Sequence, residues 1–584
     1  MLQLITTFEV GANHPDSNIV YLGPWCIENG RTFPTLTVSN CINLSNPSMD
    51  ERQRRVLHVD QVAEYISVDL ANSLNHLHET EHDLLYWQTC TGFWLELFLD
   101  ALYDRWLNTQ SVKDYGKALI LESFLISDSD TIPNTTSEFN HLSQTGKWNQ
   151  FIFEQALNTV ENVSIVTRQK LNTITVSNHE VPSNLHASNS LREKIQRVIN
   201  AIAKRRPYVL CTTYLPKGAE WKLAMMLRSV PLYWVEPKRS QNLDSLSLRE
   251  QLELPITGDE FERFARKLIS KQIPRSFIER YASIRSGVTT SFGKKYPRAI
   301  FTSNLHFSSD SFSIWTAESR KHGCKLLISQ HGGLNGQGLF PTRTETHESR
   351  IADCHFPWGW KDESEKSKNI PALINVGRKE FGDQSEAPKL LLITDCTYRY
   401  GRQPWMSSID NQTYLSNVQA LVAELPKEIY RQTIVRLHHH HAEYDYSQSM
   451  LWSKTQPEAV IDDGSTPMDE LRQMSRLAIC TTLGTSEIEH YASNFPTVLM
   501  LDPQTHPIRG NCQNLFLKMR SVGLVHDSPK STVEHIAKIW SGTNTWWLQN
   551  DIQDLVAEYL HRFGRKQEHP LRELKRIITF VSKP

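Results

Sequence analysis

The sequence that decides the fold is the stretch 324–333, CKLLISQHGG. Positions 325–329 form a short, mainly apolar run of strand length, and the polar tetrapeptide QHGG follows at once. An apolar strand that ends in polar side chains and glycines is typical of the carboxyl edge of an open α/β sheet. The glycines allow a positive φ or a close approach of a ligand, while Gln330 and His331 can bond oxygen atoms. The alternative is an ordinary strand-to-loop turn with a structural histidine.

The bulk composition excludes several classes of protein. The chain has 584 residues, a formal net charge of -1 and 22% charged residues, so it has room for more than one domain but no basic excess for a broad nucleic-acid surface. Its nine cysteines include no CxxC pair, which predicts reduced thiols rather than a disulfide framework or a zinc ribbon. The N-terminus lacks a signal-peptide pattern, and no apolar run approaches the ~20 residues that span a bilayer. We therefore expect a large cytoplasmic protein.

Short apolar runs alternate with amphipathic segments along the chain. This alternation predicts a mostly parallel sheet covered by helices on both faces. The segment 361–389 is polar and interrupted by proline and glycine, and the alternation restarts after it. We therefore predict two α/β domains, residues 1–375 with helical insertions and residues 386–584 with terminal helices. A stretch rich in Ser, Thr, Asp and Asn, 127–143, is predicted to be a surface loop.

The second informative stretch is 483–489, LGTSEIE. A strand, a turn of small residues and a helix start place backbone N–H groups and two hydroxyls where a phosphate can bind. Gly484, Thr485 and Ser486 are therefore predicted to hold a phosphate, and Glu489 is predicted to accept hydrogen bonds from ribose hydroxyls. The alternative is an ordinary helix cap with acidic residues in the first turn.

Four consecutive histidines, 438–441, follow a predicted strand at 433–437. Adjacent side chains on an extended segment point to opposite faces, so at most two of the four can share one metal ion. No Asp, Glu or Cys accompanies them at a recognised metal spacing. We therefore predict that a strand-end histidine contacts phosphate or sugar, and that the chain has no metal site.

Other polar residues are expected to share a cleft in the first domain. Asn304 ends a predicted strand, and Asp310 begins the next helix, one βα unit before Gln330 and His331, so these side chains can face the same cleft. The alternative for Asp310 is a helix cap. Further carboxylates and imidazoles follow downstream, at Glu345, His347, Glu348 and Asp353.

The helix predicted for 84–106 is dense in aromatic side chains. Such a stripe is more often buried core than a ligand platform, because aromatic residues dominate core packing. His82, Tyr86 and Trp94 are nevertheless candidates for lining a cleft, and Trp25 stands in a strand-to-loop transition, GPWC at 23–26. The motifs GxGxxG, GxxxxGK[ST] and GxSxG are absent, so the sequence does not indicate a dinucleotide-binding protein, a P-loop protein or a hydrolase with a nucleophile elbow.

Five motifs are spread along the chain: GPWC at 23–26, the aromatic segment 79–105 that ends in YDR, TSN at 302–304, QHGG at 330–333 and WGW at 358–360. In combination they resemble a family of transferases encoded in bacterial O-antigen and surface-polysaccharide loci. More distantly, the chain is similar to capsule-synthesis glycosyltransferases, including the Kdo and nonulosonic acid transferases. That resemblance implies a GT-B architecture, in which two Rossmann-like domains face a central cleft, and CMP-activated acidic sugars as donors.

The resemblance also implies roles for particular residues. The C-terminal domain would hold the nucleotide sugar, and the N-terminal domain would hold a glycan or a lipid-linked oligosaccharide as acceptor. Thr485, Ser486 and Glu489 match the nucleotide-binding helix, and His440 matches the histidine of a strand-end motif whose proline and acidic neighbours are replaced by histidines here. The Kdo enzymes use an Asp as nucleophile, and Asp310 is the candidate in this chain.

We therefore predict a cytoplasmic, metal-independent GT-B glycosyltransferase of O-antigen or capsule biosynthesis, without a cofactor or a nucleic-acid partner. Peripheral association with the cytoplasmic face of the inner membrane is the alternative location. The enzyme would transfer an ulosonic acid from a CMP-sugar to a glycan acceptor. The predicted catalytic residues are Asp310, His331 and Gln330. The predicted donor-binding residues are Arg436, His438, His440, Gly484, Thr485, Ser486 and Glu489. The predicted cleft residues are Trp25, His82, Tyr86, Asn304, Gly332, Gly333 and Glu345. The alternatives are a transferase with another nucleotide-activated donor, such as a CDP-polyol, and a non-catalytic scaffold.

Overall fold

The computed structural model describes residues 2–8, 18–27, 40–44, 46–124, 126, 128–158, 160–168, 191–237, 247–292, 295–361, 364–384, 386–441 and 448–583. Within these residues, fourteen strands form three sheets in which every paired strand is parallel. The strands are β1 Leu2–Ile5, β2 Ile19–Tyr21, β3 Leu119–Phe124, β4 Val163–Arg168, β5 Tyr208–Leu210, β6 Ala299–Thr302, β7 Lys325–Ser329, β8 Cys354–Phe356, β9 Lys389–Ile393, β10 Thr433–Arg436, β11 Val460–Asp462, β12 Ser475–Cys480, β13 Thr497–Met500 and β14 Val525–His526.

Helices connect and cover these strands. They are α1 Met49–Leu77, α2 Leu84–Lys113, α3 Asp128–Thr131, α4 Thr136–Leu142, α5 Gly146–Leu157, α6 Leu191–Ala203, α7 Lys217–Met226, α8 Ser247–Glu250, α9 Glu260–Gln272, α10 Tyr281–Phe292, α11 Leu305–Ser308, α12 Asp310–Lys321, α13 Arg343–Ile351, α14 Ser408–Glu424, α15 Lys427–Tyr430, α16 Gln448–Thr455, α17 Met468–Gln473, α18 Ser486–Ala492, α19 Gln513–Ser521, α20 Pro529–Ile539, α21 Thr543–Trp547, α22 Asn550–Phe563 and α23 Pro570–Val581. None of the helices in the described ranges is long and apolar enough to cross a bilayer.

The third sheet has the strand order of a doubly wound dinucleotide-type fold. Its order is β11-β10-β9-β12-β13-β14. The chain starts at the central strand β9, adds β10 and β11 on one side, and then adds β12, β13 and β14 on the other side. β9 reads KLLLI, and its three leucines are at most 1% exposed. Such continuous apolar runs are typical of parallel strands that helices cover on both faces. The alternation of apolar runs and amphipathic segments in the sequence therefore predicts an α/β fold.

The first two sheets both lie within residues 1–375. The first sheet has the order β2-β1-β3-β4 and the second has the order β5-β6-β7-β8. The predicted α/β class, with Rossmann-like parallel sheets that face a central cleft in a GT-B-like arrangement, is confirmed. The first sheet adds a third parallel sheet to the pair that the sequence predicts, and the domain boundary between 375 and 386 stays a prediction.

One apolar core joins the second and third sheets. It runs without interruption from Phe301 and Phe356 in the second sheet to Leu391 and Ile479 in the third. Burial of apolar surface stabilises the contact between the two sheets. The cleft between their carboxyl edges positions the candidate site.

Candidate active site

The candidate site lies at the carboxyl edge of the third sheet. The chain continues from β9 to β10 in one direction along the sheet and from β12 to β13 in the other direction. A crevice therefore opens outside the carboxyl ends of the adjacent strands β9 and β12. A cavity of about 430 Å³ lies there, with Asp395 after β9 and Thr482 after β12 in its wall. This reversal point in the strand order is where open α/β sheets bind their ligands.

The opposite wall of the cavity belongs to the second sheet. It is formed by the loop after β7 and by the start of the following helix, with Gly332, Gly333, Leu334, Asn335, Thr342 and Thr344 as the lining residues. The cavity thus joins the carboxyl edges of two sheets. Gly332 and Gly333, which the sequence predicts to line the cleft, are both part of it.

The two walls touch at Gly333. A Cβ atom built on Gly333 would lie 1.4 Å from the carbonyl oxygen of Gly484 and 2.9 Å from the amide nitrogen of Thr485. No side chain fits there, so a glycine at this position lets the two backbones meet. A Cβ atom on Gly332, by contrast, would find nothing within 4 Å. The second glycine of the QHGG motif is therefore the one that the contact between the sheets requires.

Five of the seven predicted donor-binding residues line this cavity. They are Arg436, His438, Gly484, Thr485 and Ser486. Arg436, at the end of β10, forms an ion pair with Asp462 at the end of β11. The sixth, His440, is outside the set of lining residues, and its backbone N–H donates to His438 Nδ1 at 3.2 Å.

Glu489, the seventh predicted donor contact, does not line the cavity. Its carboxylate pairs with Arg378 at 2.8 Å and with Arg472 at 2.9 Å. Glu487 lines the cavity instead. Both Glu487 oxygens accept from the Gly484 N–H at 2.9 Å, and Oε1 lies 3.1 Å from the Tyr559 hydroxyl. Positions two apart on a helix are separated by about 200°, so only one of the two carboxylates can face the ligand.

Glu487 makes stability depend on pH. Burial raises the pKa of Glu487 from 4.5 to about 7. The folded chain therefore holds this proton to higher pH than the unfolded chain, and the stability from the protonated acid, complete below pH 4.5, is lost as the pH rises through 7. Glu487→Gln keeps an oxygen acceptor for Gly484 but cannot ionise. We expect its free energy of unfolding to fall by about 3 kcal/mol less than that of the wild type between about pH 5 and 8.

Urea titrations of both proteins at the two pH values measure this difference. Other buried acids, such as Asp100 and Asp310, titrate in the same way in both proteins and cancel in the comparison. Equal losses of stability in wild type and variant would contradict the assignment.

Gln330 shapes the loop after β7. Its Oε1 accepts from the backbone N–H of Trp358 at 3.0 Å and from Trp360 Nε1 at 2.7 Å, and its Nε2 donates to the Gly332 carbonyl at 2.6 Å. The side chain is fully buried. Gln330 therefore ties the Gly332 backbone beside His331 to the segment after β8, and its role in orienting His331 stays a prediction.

His331 packs against a carboxylate that the sequence does not single out. Its Nδ1 lies 3.1 Å from Glu348 Oε1, and Glu348 is fully buried in α13. Two further imidazoles approach the same carboxylate, His306 Nε2 at 3.6 Å and His355 Nε2 at 3.5 Å. Burial raises the pKa of Glu348, but the neighbouring His331 and His355 outweigh it and leave the pKa at about 2. Glu348 is therefore an ionised carboxylate beside neutral or positive rings.

The remaining surroundings of His331 are aromatic. The Phe307 ring lies 5.0 Å from its ring and the Tyr214 ring lies 5.9 Å away. Asn304, a predicted cleft residue, donates to the Tyr214 hydroxyl at 3.4 Å and so belongs to this surrounding. In the described part of the chain, no three His, Cys, Asp or Glu side chains are grouped so that they could hold a metal ion.

Asp310, the predicted nucleophile, is buried at the start of α12. Its carboxylate accepts from the Thr136 N–H at 3.0 Å and from the Ser276 hydroxyl. Burial raises the pKa of Asp310 to about 6. It is not among the residues that line the cavity at the reversal point, and its catalytic role stays a prediction.

His82 and Tyr86 lie in a separate polar network. Tyr86 donates to Glu318 at 2.8 Å, and His82 stacks on the Tyr86 ring at 3.7 Å between ring centroids. Burial, followed by the charge of Lys321, lowers the pKa of His82 to about 4. Glu318 is near the end of α12, which runs from the carboxyl edge back toward the amino edge of the second sheet. This network is therefore at the far end of the helix from the cleft.

Trp25 and Glu345 make contacts away from the cavity, Trp25 beside the first sheet and Glu345 between the loop after β7 and Arg509. Trp25 is buried beside the first sheet, where its Nε1 donates to the Thr6 carbonyl at 2.9 Å. Glu345 accepts from the Gly336 N–H at 3.0 Å and pairs with Arg509 at 2.8 Å. Glu345 thus connects the loop after β7 to the third-sheet side of the molecule and borders the cleft without lining the cavity.

Comparison with known proteins identifies the family. The model of a family described as LIC12162 family transferase matches residues 2–578. The chain belongs to this family. Members are described as transferases, so the predicted transferase class is confirmed, whereas the O-antigen loci and the similarity to Kdo enzymes stay predictions.

Solved structures that resemble this LIC12162 family chain are glycosyltransferases and a polymerase. MurG of Acinetobacter baumannii is 11% identical, with a TM-score of 0.32 over 64% of this chain and 99% of that chain. A glycosyltransferase from Rickettsia africae is 13% identical, with a TM-score of 0.35 over 65% and 99%. The wall teichoic acid polymerase TagF is 8% identical, with a TM-score of 0.31 over 66% and 92%. Scores at this level carry no argument about a substrate. No curated protein sequence matches the chain.

Proposed function

We propose that this LIC12162 family transferase is a glycosyltransferase of bacterial surface-polysaccharide biosynthesis. It transfers an ulosonic acid from a CMP-activated donor to a glycan or lipid-linked acceptor, without a metal or another cofactor. It acts in the cytoplasm, with the acceptor presented at the inner membrane. The single observation that carries the proposal is the cavity at the reversal point of the third sheet. Gly332 and Gly333 line it, and His331 precedes them in the same loop without being a lining residue itself.

The lining of the cavity suits an activated sugar. Its volume of about 430 Å³ lies within the range of small-molecule sites, roughly 300–1,000 Å³. Hydroxyls of Thr482, Thr485 and Ser486 can bond phosphate and sugar oxygens. The Arg436 guanidinium, which is paired with Asp462, has further N–H donors for a phosphate or carboxylate. A donor with both a phosphate and a carboxylate is the substrate that this combination favours.

The chemistry follows from the two walls. The third sheet holds the nucleotide, and the second sheet presents His331 to the acceptor. A hydroxyl oxygen of the acceptor attacks the anomeric carbon, the bond from that carbon to the phosphate oxygen breaks, and the nucleotide leaves with the electron pair. His331 takes the proton of the hydroxyl, and Arg436 compensates the charge on the departing phosphate.

A nucleotide panel tests this proposal. CMP, CDP, UDP and GDP are added separately at equal concentration, and the melting temperature is recorded. A nucleotide at 100 times its dissociation constant stabilises the native state by about 2.7 kcal/mol. We expect CMP to raise the melting temperature more than the other three. Thr485→Val should weaken this effect without lowering the stability of the free protein, because the Thr485 side chain makes no capping bond.

The same threonine-to-valine change at Thr579, in the C-terminal helix α23, is the matched control and should leave the nucleotide effect unchanged. A selective response to CDP would favour a CDP-polyol donor, and a selective response to UDP or GDP would keep a sugar transferase but reject CMP. No response to any nucleotide would reject the proposal in favour of a non-catalytic scaffold.

A further inference from the structure

The carboxylate of Glu348 has no ordinary counter-ion. It is fully buried, and within the described part of the chain no Arg or Lys forms an ion pair with it. A buried charge is strongly unfavourable unless an opposite charge or hydrogen bonds compensate it. The groups that approach it are imidazoles from three separate segments, namely the loop after β7, α11 and β8. Three histidine side chains from different parts of the chain thus surround the Glu348 carboxylate.

Only one of these imidazoles is open to the outside. The side chain of His331 is 17% exposed, whereas those of His306 and His355 are fully buried. Burial lowers the pKa of His306 to about 3, so that ring stays neutral. His331 is therefore the ring through which a proton from outside can reach the vicinity of Glu348.

The other groups around the pair do not offer a competing charge. His347 stacks on His306 with 6.1 Å between ring centroids, and burial lowers its pKa to about 3. Tyr214 faces His331 from the loop after β5, and burial raises the pKa of its phenol, which therefore stays neutral. Glu348 is thus the charged group that acts on His331 at close range.

We propose that Glu348 is the positioning residue of His331. The charged carboxylate lies 3.1 Å from Nδ1 of the imidazole and favours a proton on that nitrogen. This contact fixes the tautomer of the ring and leaves Nε2, the nitrogen turned away from Glu348, to exchange a proton with the substrate. The proposal rests on the proposed function and deepens it, because it states how the base of the transfer reaction is held. It assigns a role to a carboxylate in α13 that lines no part of the nucleotide cavity.

In the proposed step, every proton that is released is also taken up. As the acceptor oxygen bonds to the anomeric carbon, its proton passes to Nε2 of His331, and the nucleotide departs with the electrons of the broken bond. The imidazolium that forms is paired with the Glu348 carboxylate at 3.1 Å. Glu348 itself takes no proton, and its charge stabilises the imidazolium because the pair is shielded from water.

Kinetics of a double-mutant cycle test the coupling. With the donor identified by the nucleotide panel, Glu348→Gln should lower kcat by roughly 10²–10³-fold and leave KM for the donor within about twofold. His331→Ala should lower kcat by a similar or larger factor. The double variant should be no slower than His331→Ala alone, because Glu348 acts only through His331. Multiplicative losses in the double variant would overturn the proposal.

A matched control uses another buried carboxylate. Glu318→Gln makes the same change at the far end of α12, where Glu318 accepts from Tyr86 and pairs with Arg285. It should lower stability without changing kcat. A loss of kcat in Glu318→Gln as large as in Glu348→Gln would show that any buried amide substitution disturbs the site, and would overturn the specific role of Glu348.

A spectroscopic test is independent of transfer activity. In protein labelled with ¹⁵N-histidine, we expect a proton resonance on His331 Nδ1 that disappears in His331→Ala and in Glu348→Gln but persists in Glu318→Gln. An unprotonated Nδ1 in the wild type would overturn the proposal. If this resonance is found and no nucleotide stabilises the protein, the proposed function fails while the pairing of Glu348 with His331 stands, so the two failures are distinguishable.

Discussion

Replacing Gly333 by alanine is expected to lower the free energy of unfolding by about 3 kcal/mol and to remove the stabilisation by nucleotide. The new Cβ would lie 1.4 Å from the carbonyl oxygen of Gly484, and this neighbour is backbone, which cannot rotate away as a side chain can. The loop after β7 must therefore separate from the turn before α18. Since both segments line the cavity at the reversal point, its two walls move apart. Urea midpoints and melting temperatures with and without CMP measure the two effects.

The adjacent glycine is the control for this change. Alanine at Gly332 would meet no atom within 4 Å, so we expect its stability to stay within about 0.5 kcal/mol of the wild type. The two variants have the same composition and differ only in the position of one methyl group. Equal destabilisation by both would mean that the loop tolerates no side chain at all, and would contradict the specific contact between Gly333 and Gly484.

The sequence predicts the framework of the cleft well because that framework depends on local patterns. The apolar runs at 325–329 and 390–394 correspond to β7 and β9, and the small residues after β12 lead into α18 as expected. Strands buried on both faces leave a continuous apolar signal, and glycines mark their ends. The cavity walls could therefore be located, and most of the predicted donor residues line them.

Which face of an element meets the ligand depends on tertiary packing. In α18, the sequence predicts Glu489 as the ligand contact, yet Arg378 and Arg472 bind Glu489, and Glu487 lines the cavity. The stretch 127–143 has the composition of a surface loop. It nevertheless contains the helix α4, whose Phe139 packs in the core against the aromatic residues of α2. In both cases the neighbours that decide the outcome are distant in the sequence.

Glu348 shows the same limit for the candidate site. It belongs to a polar helix, RTETHESRI, and nothing in that pattern marks one carboxylate as buried. Its partners follow β6, follow β7 and lie within β8, so they meet only when these parallel strands pair. The available signal is the recurrence of a histidine in or shortly after each of three consecutive strands, which becomes meaningful once the strand order is known.

Arg105 is expected to be the most sensitive position for the connection between α2 and the third-sheet side of the chain. It is completely buried, its Nε donates to Asn149 Oδ1 at 2.7 Å, and its guanidinium also bonds the carbonyl of Gly401. Gly401 is in the segment that leads from β9 to α14, and Asp395 in this segment lies in the wall of the cavity at the reversal point. Arg105 therefore ties the helical part of the chain to the cleft.

Arg105→Met keeps most of the side-chain volume but removes the charge and the donors. In the wild type the Asp104 carboxylate lies 3.1 Å from Arg105, and Arg105→Met removes this guanidinium partner. The change also leaves the Gly401 carbonyl without its guanidinium donor, whereas the Ser143 carbonyl keeps the Asn149 amide at 3.0 Å. Breaking a buried charge network in this way destabilises by about 3–5 kcal/mol, which the urea midpoint measures. The CMP effect on the melting temperature should shrink as well, because the segment that carries Asp395 loses its anchor.

An exposed arginine provides the comparison. Arg54 forms an ion pair with Glu51 at 2.7 Å on α1, but its side chain is 73% exposed. Water and salt screen such a pair, so Arg54→Met should change stability by less than about 1 kcal/mol and leave the nucleotide effect intact. If Arg105→Met were equally mild, the guanidinium would not be the connection between α2 and the cleft. A large loss of stability with an unchanged CMP effect would instead mean that Asp395 is held in place by contacts on the third sheet alone.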